Sequence, residues 1–435
     1  MHAWRLFNIL LLIALLYAGT AKLLAWPPFS RTERPLVVET IDTTATPPQG
    51  KSAEAPVTPV PTEPIQPEAV STRQIANCIS KASLWLIQHQ RKDGSWGEMR
   101  VKGAYGPFHL DRPGFHQAGP TALALYALLK SGMALRHPAV RKGFAYLEKH
   151  HVWPATSPET CMVLLAVTAT RAPTAGAKLP LGYQKWVLDL VDHLVKKRTA
   201  TGWRYNYQGR FEPPQIGGRE DVISTHLAAL ALLAAHQVGV KVEPDVWMDI
   251  LRFTMAQQER PSDGDPDTVE PRGFAYVLGH EITDDGKATG STTACGIASV
   301  LMARFMLTER GTKPSALRQL DPVLAERIDP GLAAAMAWLV RKWHPSETPG
   351  KVRDSKVLHH HWLWALETAM DLNPMQPGRL GPYSWYPEIA SRMIGRQSDS
   401  GVWHNPGTWE PADVLDTSLA ILFLERASLS LLLDR

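Results

Sequence analysis

Ionisable residues stand where apolar stretches of this sequence begin. Glu159 and Asp416 each precede a threonine that opens such a stretch, Asp221 lies four residues before another, and a run of histidines ends at His361, where a further stretch begins. Carboxylates and imidazoles are the usual proton donors and acceptors of enzymes. Asp416, Glu159 and Asp221 are therefore the candidate catalytic residues. The alternative is that these acids belong to first helical turns and complement helix dipoles.

Aromatic and basic residues are interleaved in the long segments that lead into these stretches. The residues expected to contact a ligand are Tyr205, Tyr207, Arg204, Arg219, Arg272 and Phe274, together with His361. Loops held by rigid elements often carry function. Arginines suit an anionic or polar head group, and aromatic rings suit an apolar tail below it. The alternative is that the rings only seal one end of the fold.

The apolar stretches and the segments before them form a repeated pair. The stretches begin at Thr121, Thr160, Thr225, Thr293, His361 and Thr417. More amphipathic segments precede them at residues 73–90, 138–150, 183–197, 245–258, 330–343 and 386–397. A helix that is apolar all round belongs inside a protein, whereas a helix with one apolar stripe belongs at its surface. The sequence therefore predicts an all-α fold, an (α/α)6 toroid of six outer-inner helix pairs.

The threonines that open the apolar stretches are predicted N-caps, because a threonine side chain accepts a hydrogen bond from the first backbone N–H groups of a helix. Alternation of outer and inner helices around a ring would place all the inner N-termini at one mouth. Helix dipoles and the nearby arginines would make that mouth electropositive.

A glutamine-to-tryptophan spacing recurs at the two ends of the helical region. Gln90 is followed by an Asp-Gly break and by Trp96, and Gln397 is followed by a similar Ser-Gly break and by Trp403, six residues on in both cases. A glycine after the last helical turn ends a helix. Two such copies so far apart indicate an internal repeat.

Residues 73–435 resemble the prenyltransferase and squalene-cyclase repeat proteins, because this spacing, the glycine break and the threonine-led apolar helices occur together. The resemblance implies a toroid with an Asp-x-Asp-Asp-Thr motif at one helix start, whose middle acid protonates an alkene. The matching residues here are Asp413-Val-Leu-Asp-Thr417, so Leu415 occupies the place of the proton donor. The resemblance therefore favours the fold and argues against standard cyclase chemistry; we expect Asp416 to be ionised and to cap its own helix.

Prenyltransferases of this fold hold a catalytic zinc ion with an Asp-x-Cys pair and a later histidine. The matching residues here are Thr293-Ala-Cys295, which lacks the aspartate, and a histidine run at 359–361. Cysteine thiolate and neutral histidine are suitable zinc ligands. Cys295, His360 and His361 are therefore the residues that a zinc ion would use, if the protein took one as a cofactor.

The first 72 residues differ in composition from the rest. Residues 1–26 hold an apolar run after Arg5 and are predicted to be a signal-anchor or signal peptide. Residues 27–72 are rich in Pro and Thr and are predicted to be a disordered linker. Arg5 before the run favours a single-pass protein of the inner or cytoplasmic membrane, with the toroid, residues 73–435, on the extracytoplasmic side.

Charge and cysteine usage exclude some classes of protein. The net charge is +4 without a Lys/Arg tract, which argues against nucleic-acid binding. Three cysteines without a close pair give no disulfide framework. The sequence thus predicts a membrane-tethered toroid that binds a lipid-like or polar ligand in its mouth.

The alternative is an active enzyme. It would be an isoprenoid cyclase or transferase, or a carbohydrate-active α/α barrel in which tryptophans serve as sugar platforms. In such a barrel Glu159 would work with Asp416 or with Glu410 as a carboxylate pair on a glycan.

Overall fold

Helices and one pair of two-residue strands make up the part of the chain that the computed structural model describes. The described residues are 70–97, 100–101, 117–150, 153–154, 156–171, 177–199, 202–205, 219–261, 269–278, 286–308, 313, 315–350, 359–373, 378–404, 409–410 and 412–428. The predicted anchor and nearly all of the predicted linker lie outside them.

Thirteen helices follow one another within these residues. They are α1 (Thr72–Gln88), α2 (Ala118–Lys130), α3 (Pro138–His150), α4 (Ser157–Thr168), α5 (Tyr183–Lys196), α6 (Val222–Gln237), α7 (Pro244–Ala256), α8 (Gly290–Leu307), α9 (Ser315–Leu320), α10 (Pro322–Arg341), α11 (His359–Leu372), α12 (Trp385–Arg396) and α13 (Ala412–Leu424). Strand β1 (Arg100–Val101) pairs antiparallel with β2 (Trp409–Glu410).

Six of the helices form an inner ring. Helices α2, α4, α6, α8, α11 and α13 each pack on the next, and α13 packs back on α2. Helices α1, α3, α5, α7, α10 and α12 bury only one stripe each and lie outside that ring. Because an all-round apolar helix is stable only where every face is covered, the hydrophobic pattern decides which helix lies inside. The predicted α/α toroid is thereby confirmed.

Helix α8 is the described helix whose length and hydropathy would suit a membrane span. Its mean hydropathy is 1.2, and 83% of its apolar window is buried inside the protein. Its place in the inner ring accounts for this composition.

The tryptophans of the repeat fasten the loop that follows an outer helix to the end of that helix, in α1, α5 and α12. The indole N–H of Trp96 donates to Leu86 O at 2.7 Å and that of Trp403 donates to Met393 O at 2.9 Å. Trp203, which lacks the glutamine, makes the same bond to Leu194 O at 2.8 Å. Because a buried indole N–H needs a partner, this geometry fixes the ring against the end of the outer helix.

The glutamines of the repeat tie neighbouring outer helices together. The amide of Gln90 donates to Ala139 O of α3 at 2.8 Å, and that of Gln258 donates to Gly331 O of α10 at 2.8 Å. The amide of Gln397 donates to Cys78 O of α1 at 2.9 Å, which joins the last outer helix to the first. The repeat therefore also closes the ring.

Glycine is required at the break that follows these glutamines. Gly94 and Gly401 both have a φ of +95°. A Cβ atom would come within 2.4 Å of Lys142 O at Gly94 and within 2.5 Å of Lys81 O at Gly401. A left-handed backbone conformation and a close approach to the next outer helix thus coincide at one residue.

The threonines that open the apolar stretches are not N-caps, so that prediction was wrong. Inner helices begin about one turn earlier, with Thr156, Asp221 and Thr289 as caps of α4, α6 and α8. Small polar residues and proline before the threonines accept helical backbone angles, and helix ends are the least predictable part of a helix.

Most of these threonines instead bind the segment that connects the outer helix to the inner one. Their hydroxyl oxygens accept the backbone N–H of an aromatic residue in that segment, at 3.0 to 3.4 Å. The pairs are Thr121 with Trp96, Thr225 with Trp203, Thr293 with Phe274 and Thr417 with Trp403. The threonine pattern therefore marks loop attachment.

Candidate ligand-binding mouth

The N-termini of the inner helices meet at one end of the ring, as hydrogen bonds between neighbours demonstrate. Glu159 Oε1 at the start of α4 accepts the N–H groups of Ala118 and Gly119 in α2, at 3.0 and 3.2 Å. The N–H of Ser157 donates to Tyr205 O at 3.1 Å, which joins α4 to the segment before α6. Three consecutive segments thus share this end.

The remaining links complete the circle. Val222 N–H donates to Tyr276 O at 3.1 Å and Gly290 N–H donates to Pro349 O at 2.7 Å, which joins α6 to the segment before α8, and α8 to the segment before α11. His360 of α11 contacts Asp416 of α13. The β1–β2 pair joins the segments that lead into α2 and α13. The predicted mouth of helix N-termini therefore exists.

Several residues in the first two turns of the inner helices are partly accessible, and six of them are considered together. They are Gly119, Pro158, Met162, Ile223, His361 and Leu415, which we call the central funnel. Pro158 and Met162 lie four residues apart on α4 and therefore share one face. Met162, Ile223 and Leu415 also pack against the core. The funnel is thus mainly apolar, with one imidazole among its residues.

Leu415 places an aliphatic side chain in the funnel where the cyclase motif has an acid. It occupies the position at which the cyclase motif would carry its proton donor, and it is among the accessible residues of α13. The structure therefore exposes an aliphatic side chain where a cyclase would need a carboxylic acid.

Asp416 is buried and paired with histidine. Its Oδ1 lies 2.9 Å from His360 Nδ1, and the ring of His360 meets that of Trp403 edge to face. Because α13 begins at Ala412, Asp416 lies inside the helix and does not cap it, so that expectation was wrong. The helix starts before the aspartate because 412–415 already adopt helical geometry.

The other two candidate acids, Glu159 and Asp221, are capping residues. Glu159 is buried and caps α2 as described above. Asp221 caps its own helix α6, since its Oδ1 accepts Ser224 N–H at 2.7 Å and its Oδ2 accepts the Ser224 hydroxyl at 2.8 Å. Burial raises the pKa of Asp221 to about 7 despite these donors.

Tyr205 lies near both of these acids. Burial and the negative charges of Glu159 and Asp221 raise the pKa of its phenol well above the ordinary value. The structure thus brings Glu159, Asp221 and Tyr205 together, as the sequence analysis grouped them at the mouth. At neutral pH the tyrosine is a neutral hydroxyl beside two carboxyl groups.

The other predicted ligand contacts are dispersed. Arg204 is half-buried and pairs with Glu220 at 3.5 Å, and Arg219 is exposed. Arg272 donates its backbone N–H to Ala334 O of α10, which places its backbone beside an outer helix. Tyr207 lies outside the described residues. The described contacts do not join these arginines to the funnel residues, and the electropositive mouth stays a prediction.

Phe274 is a packing residue. It is fully buried and its N–H binds Thr293, so it takes the place of the repeat tryptophan. A Cβ atom at Gly296 would come within 2.4 Å of its ring, so the glycine makes room for it. The described contacts of Phe274 are packing contacts, and its contact with a ligand stays a prediction.

The zinc candidates do not form a ligand set. Among the described residues no group of three or more His, Cys, Asp or Glu side chains is arranged to hold a metal ion. His360 is engaged by Asp416, and burial raises the pKa of the Cys295 thiol above its ordinary value. A thiol held protonated is a poor zinc ligand.

His226 and His361 are neutral and without partners in the described part of the chain. All four of their ring nitrogens are buried and none has a hydrogen-bond partner. Burial lowers the pKa of His226 to about 3, with His361 contributing, and burial lowers the pKa of His361 to about 4. His226 lies three residues after Ile223, so both belong to one face of α6. The sequence would have indicated that His226 and Ile223 share a face if the start of α6 had been predicted at Val222.

The opposite end of the ring holds a buried charge cluster that sequence reasoning missed. Glu367 accepts the N–H and the hydroxyl of Ser428 at 2.8 and 2.7 Å, and Arg426 donates to both oxygens of Asp371. Burial raises the pKa of Glu367 well above its ordinary value. These bonds fasten the segment after α13 onto α11.

Comparison with known proteins agrees with this architecture. Residues 66–162 match the family model of the squalene-hopene cyclase C-terminal domain. The chain is 42% identical over 73 residues to a squalene–hopene cyclase from Bradyrhizobium diazoefficiens and 39% identical over 74 residues to a probable squalene–hopene cyclase from Sinorhizobium fredii. Each match covers 16% of this chain and 10% of the relative, so the chain matches about a tenth of the length of these curated relatives.

Solved structures share the fold at low sequence identity. A variant of the type II terpene cyclase MstE from Scytonema, in complex with geranylgeranyl dihydroxybenzoate, has a TM-score of 0.50 at 12% identity, covering 82% of this chain and 98% of the cyclase. An inactive α-1,6-mannanase variant from Salegentibacter, in complex with α-1,6-mannotriose, has a TM-score of 0.52 at 10% identity, covering 82% and 99%. The chain has the α/α toroid fold that these two proteins share. Its resemblance to the squalene-cyclase repeat proteins is thereby confirmed, with the sequence match lying in residues 66–162.

Proposed function

We propose that this chain binds a lipid-like ligand in the central funnel and lacks the acid-initiated chemistry of a cyclase. The observation that carries the proposal is the accessible Leu415 at the motif's acid position, beside the accessible Met162 and Ile223. Apolar side chains at a mouth that leads into an apolar ring favour an apolar ligand, because its transfer from water is favourable.

The engagement of the carboxyl groups supports the second half of the proposal. Glu159 holds the N-terminus of α2, Asp221 holds that of α6, and Asp416 binds His360. A cyclase acid has to deliver a proton to an alkene carbon. Glu159 and Asp221 instead accept hydrogen bonds from backbone N–H groups, and Asp416 is hydrogen-bonded to His360. The three candidate acids are therefore engaged by the protein, and none of them stands at the position of the motif's proton donor, where Leu415 lies.

We also propose that the toroid is tethered outside the cytoplasmic membrane by residues 1–26 and the linker 27–72. The support is the apolar run after Arg5 and the Pro/Thr-rich composition that follows. Such a tether would keep the funnel near the membrane, which is the source of lipid-like ligands. Protease added to intact spheroplasts should then digest the toroid, and protection of the toroid would contradict this topology.

Native mass spectrometry of the full-length chain, purified in a mild detergent, tests the binding proposal. We expect the native chain to carry a co-purified lipid. Ile223→Trp and Met162→Trp add bulk at the funnel and should abolish that mass. Leu188→Trp is the matched control, because Leu188 is 53% exposed on the outer helix α5. Absence of any lipid from the native chain, or equal loss in the control, would contradict the proposal.

An enzyme remains the second candidate, and one observation favours it. His360 Nδ1 and Asp416 Oδ1 lie 2.9 Å apart, and both side chains are buried beside the mouth. A histidine that is oriented by a carboxyl group in this way can serve as a general base. A glycan-active enzyme would also need a carboxylate pair, and Glu159 and Asp416 already serve different partners. Incubation with squalene, described in the Discussion, separates a cyclase from a binding protein.

A further inference from the structure

The turn that follows α13 is bound to α11 by buried side chains at the far end of the ring. We call its residues, 425–428, the strap. The N–H and the hydroxyl group of Ser428 donate to the two carboxyl oxygens of Glu367 at 2.8 and 2.7 Å, and Ser428 Oγ lies 2.9 Å from Thr368 Oγ1. Ala427 and Ser428 are both buried. The strap therefore joins the last inner helix to its neighbour in the ring.

Arg426 holds the strap in a backbone conformation that arginine rarely adopts. Its φ is +49°, and among the described residues it is the one outside glycine with a positive φ. The hydrogen bonds that end α13 here belong to a helix end at which glycine is usual. The guanidinium of Arg426 donates to both oxygens of Asp371 and lies over the rings of Trp385 and Tyr386. These side-chain contacts compensate for the unfavourable backbone conformation.

Two carboxyl groups stand side by side beneath the strap. Glu367 and Asp371 lie four residues apart on α11, so they share a face, and their side chains are hydrogen-bonded to each other. Glu367 is 0% exposed, and so is the side chain of Asp371. Two carboxyl groups in contact in a buried site cannot both be ionised, so the pair holds one proton. The guanidinium of Arg426 balances the one negative charge that remains.

We infer that the strap is a pH-sensitive latch between α13 and α11, bound while the Glu367–Asp371 pair holds its proton and released when that proton is lost. This inference goes beyond the proposed function, since it concerns the end of the ring opposite the funnel. Loss of the proton leaves two adjacent buried carboxylates, and their repulsion and desolvation disfavour the bound strap. In the released state both groups meet water, and Arg426 can leave its left-handed conformation.

Other charged and titratable groups surround the pair. They are Tyr126 and Lys130 of α2, Tyr386 of α12, Glu425 and Arg426 of the strap, and Arg171, which faces Lys130. The cation of Lys130 favours an ionised Glu367, whereas burial and the charge of Asp371 oppose it. Burial and Asp371 prevail, so the pKa of Glu367 lies well above its ordinary value. Burial lowers the pKa of Lys130 to about 8, so Lys130 keeps its charge below that pH and Glu367 is the group that titrates.

The sign of the pH dependence follows from the raised pKa. Glu367 stabilises the bound strap in full below its ordinary pKa of 4.5, and this contribution is lost as pH rises towards the raised value. Release frees one proton in this range. The equilibrium between bound and released strap should therefore shift towards release by up to about tenfold per pH unit between pH 5 and pH 8.

Hydrogen exchange followed by mass spectrometry on the full-length chain in mild detergent tests the inference between pH 5 and pH 8. Because the amide N–H of Ser428 donates to Glu367, the protection of a peptide that holds residues 425–428 reports the bound strap. Each measured rate is divided by the intrinsic exchange rate at the same pH. We expect the protection to fall by up to about tenfold per pH unit in the native chain.

The variant Glu367→Gln keeps an oxygen for the N–H of Ser428 and cannot ionise, so its strap should keep the same protection at every pH. Asp221→Asn is the matched control, because Asp221 is also a buried acid of raised pKa but belongs to the mouth. Its strap should show the native slope. The slope of the native chain needs no variant, so it tests the latch even if Glu367→Gln fails to fold.

Three results would overturn the inference. The first is protection of the strap that does not change with pH in the native chain. The second is a slope that persists in Glu367→Gln, or that Glu425→Gln removes instead, because the proton would then belong to another group. The third is loss of the slope in Asp221→Asn, which would mean that the strap exchanges through unfolding of the whole ring.

Discussion

Replacing Asp221 by asparagine isolates the energetic consequence of burying an acid at the start of an inner helix. Asparagine is as good an N-cap as aspartate, so Asp221→Asn keeps the bond from Ser224 N–H. It removes the ionisation and replaces Oδ2, which accepts the Ser224 hydroxyl, by an NH2 group, whose effect on stability does not depend on pH. The side chain is 1% exposed, and burial raises its pKa in the folded protein to about 7 from an ordinary value of 3.8. The substitution therefore changes how stability depends on pH.

The sign follows from the direction of the shift. A carboxyl group whose pKa is raised on folding favours the folded state while it is protonated, and this contribution is lost as pH rises through the folded pKa. Each pKa unit corresponds to about 1.36 kcal/mol. Between pH 5 and pH 8 the free energy of unfolding of the native chain should therefore fall by about 2 to 3 kcal/mol relative to that of Asp221→Asn.

Urea unfolding followed by far-UV circular dichroism at pH 5, 6, 7 and 8 measures this difference. Asp321→Asn is the matched control, because Asp321 caps α10 through Leu324 N–H and its pKa is lowered. Asp321 is ionised in both folded and unfolded chains across this window, so its variant should differ from the native chain by a constant amount. A constant difference for Asp221→Asn as well would refute the reasoning that burial keeps this acid protonated.

Three further predictions concern the repeat and the chemistry. Trp96→Ala and Trp403→Ala should each lower the free energy of unfolding by about 3 to 5 kcal/mol, the cost of deleting a buried tryptophan, whereas Leu84→Ala on the exposed face of α1 should change it little in the same urea titration. Gln397→Leu removes the amide's bonds to Cys78 O at the ring closure and to Gly401 O, and should cost about 1 to 3 kcal/mol, seen as a lower midpoint of thermal unfolding. Incubation of the full-length chain with squalene should give no polycyclic product by gas chromatography; a product that disappears in Asp416→Asn would make the chain an enzyme.

The helical part of the architecture could be predicted because its causes are local. The apolar stretches around Thr121 and Thr225 are unbroken by charge, so they had to lie inside, and the spacing from Gln90 to Trp96 repeats at Gln397. Periodicity of this kind survives in the sequence whatever the tertiary contacts are. The ring and its mouth follow from those patterns alone.

The roles of the site residues could not be read in the same way. Glu159 caps the neighbouring helix α2, and Asp416 finds its partner on α11, so both roles depend on contacts between helices. The packing role of Phe274 was not evident, because it replaces a tryptophan of the repeat without the six-residue spacing from a glutamine. Because the predicted helix starts were displaced by about one turn, the sequence analysis did not show that His226 shares a face with Ile223.

A photoreactive ligand gives the most direct test of the central claim that the funnel holds a lipid-like molecule. A geranylgeraniol analogue with a diazirine on its hydrocarbon chain would be irradiated with the full-length protein, and the modified peptides identified by mass spectrometry. We predict that the adducts lie on α4, α6 and α13, around Met162, Ile223 and Leu415, and that excess geranylgeraniol suppresses them. Adducts confined to the outer helices or to residues 1–26, or adducts that excess ligand does not suppress, would contradict it.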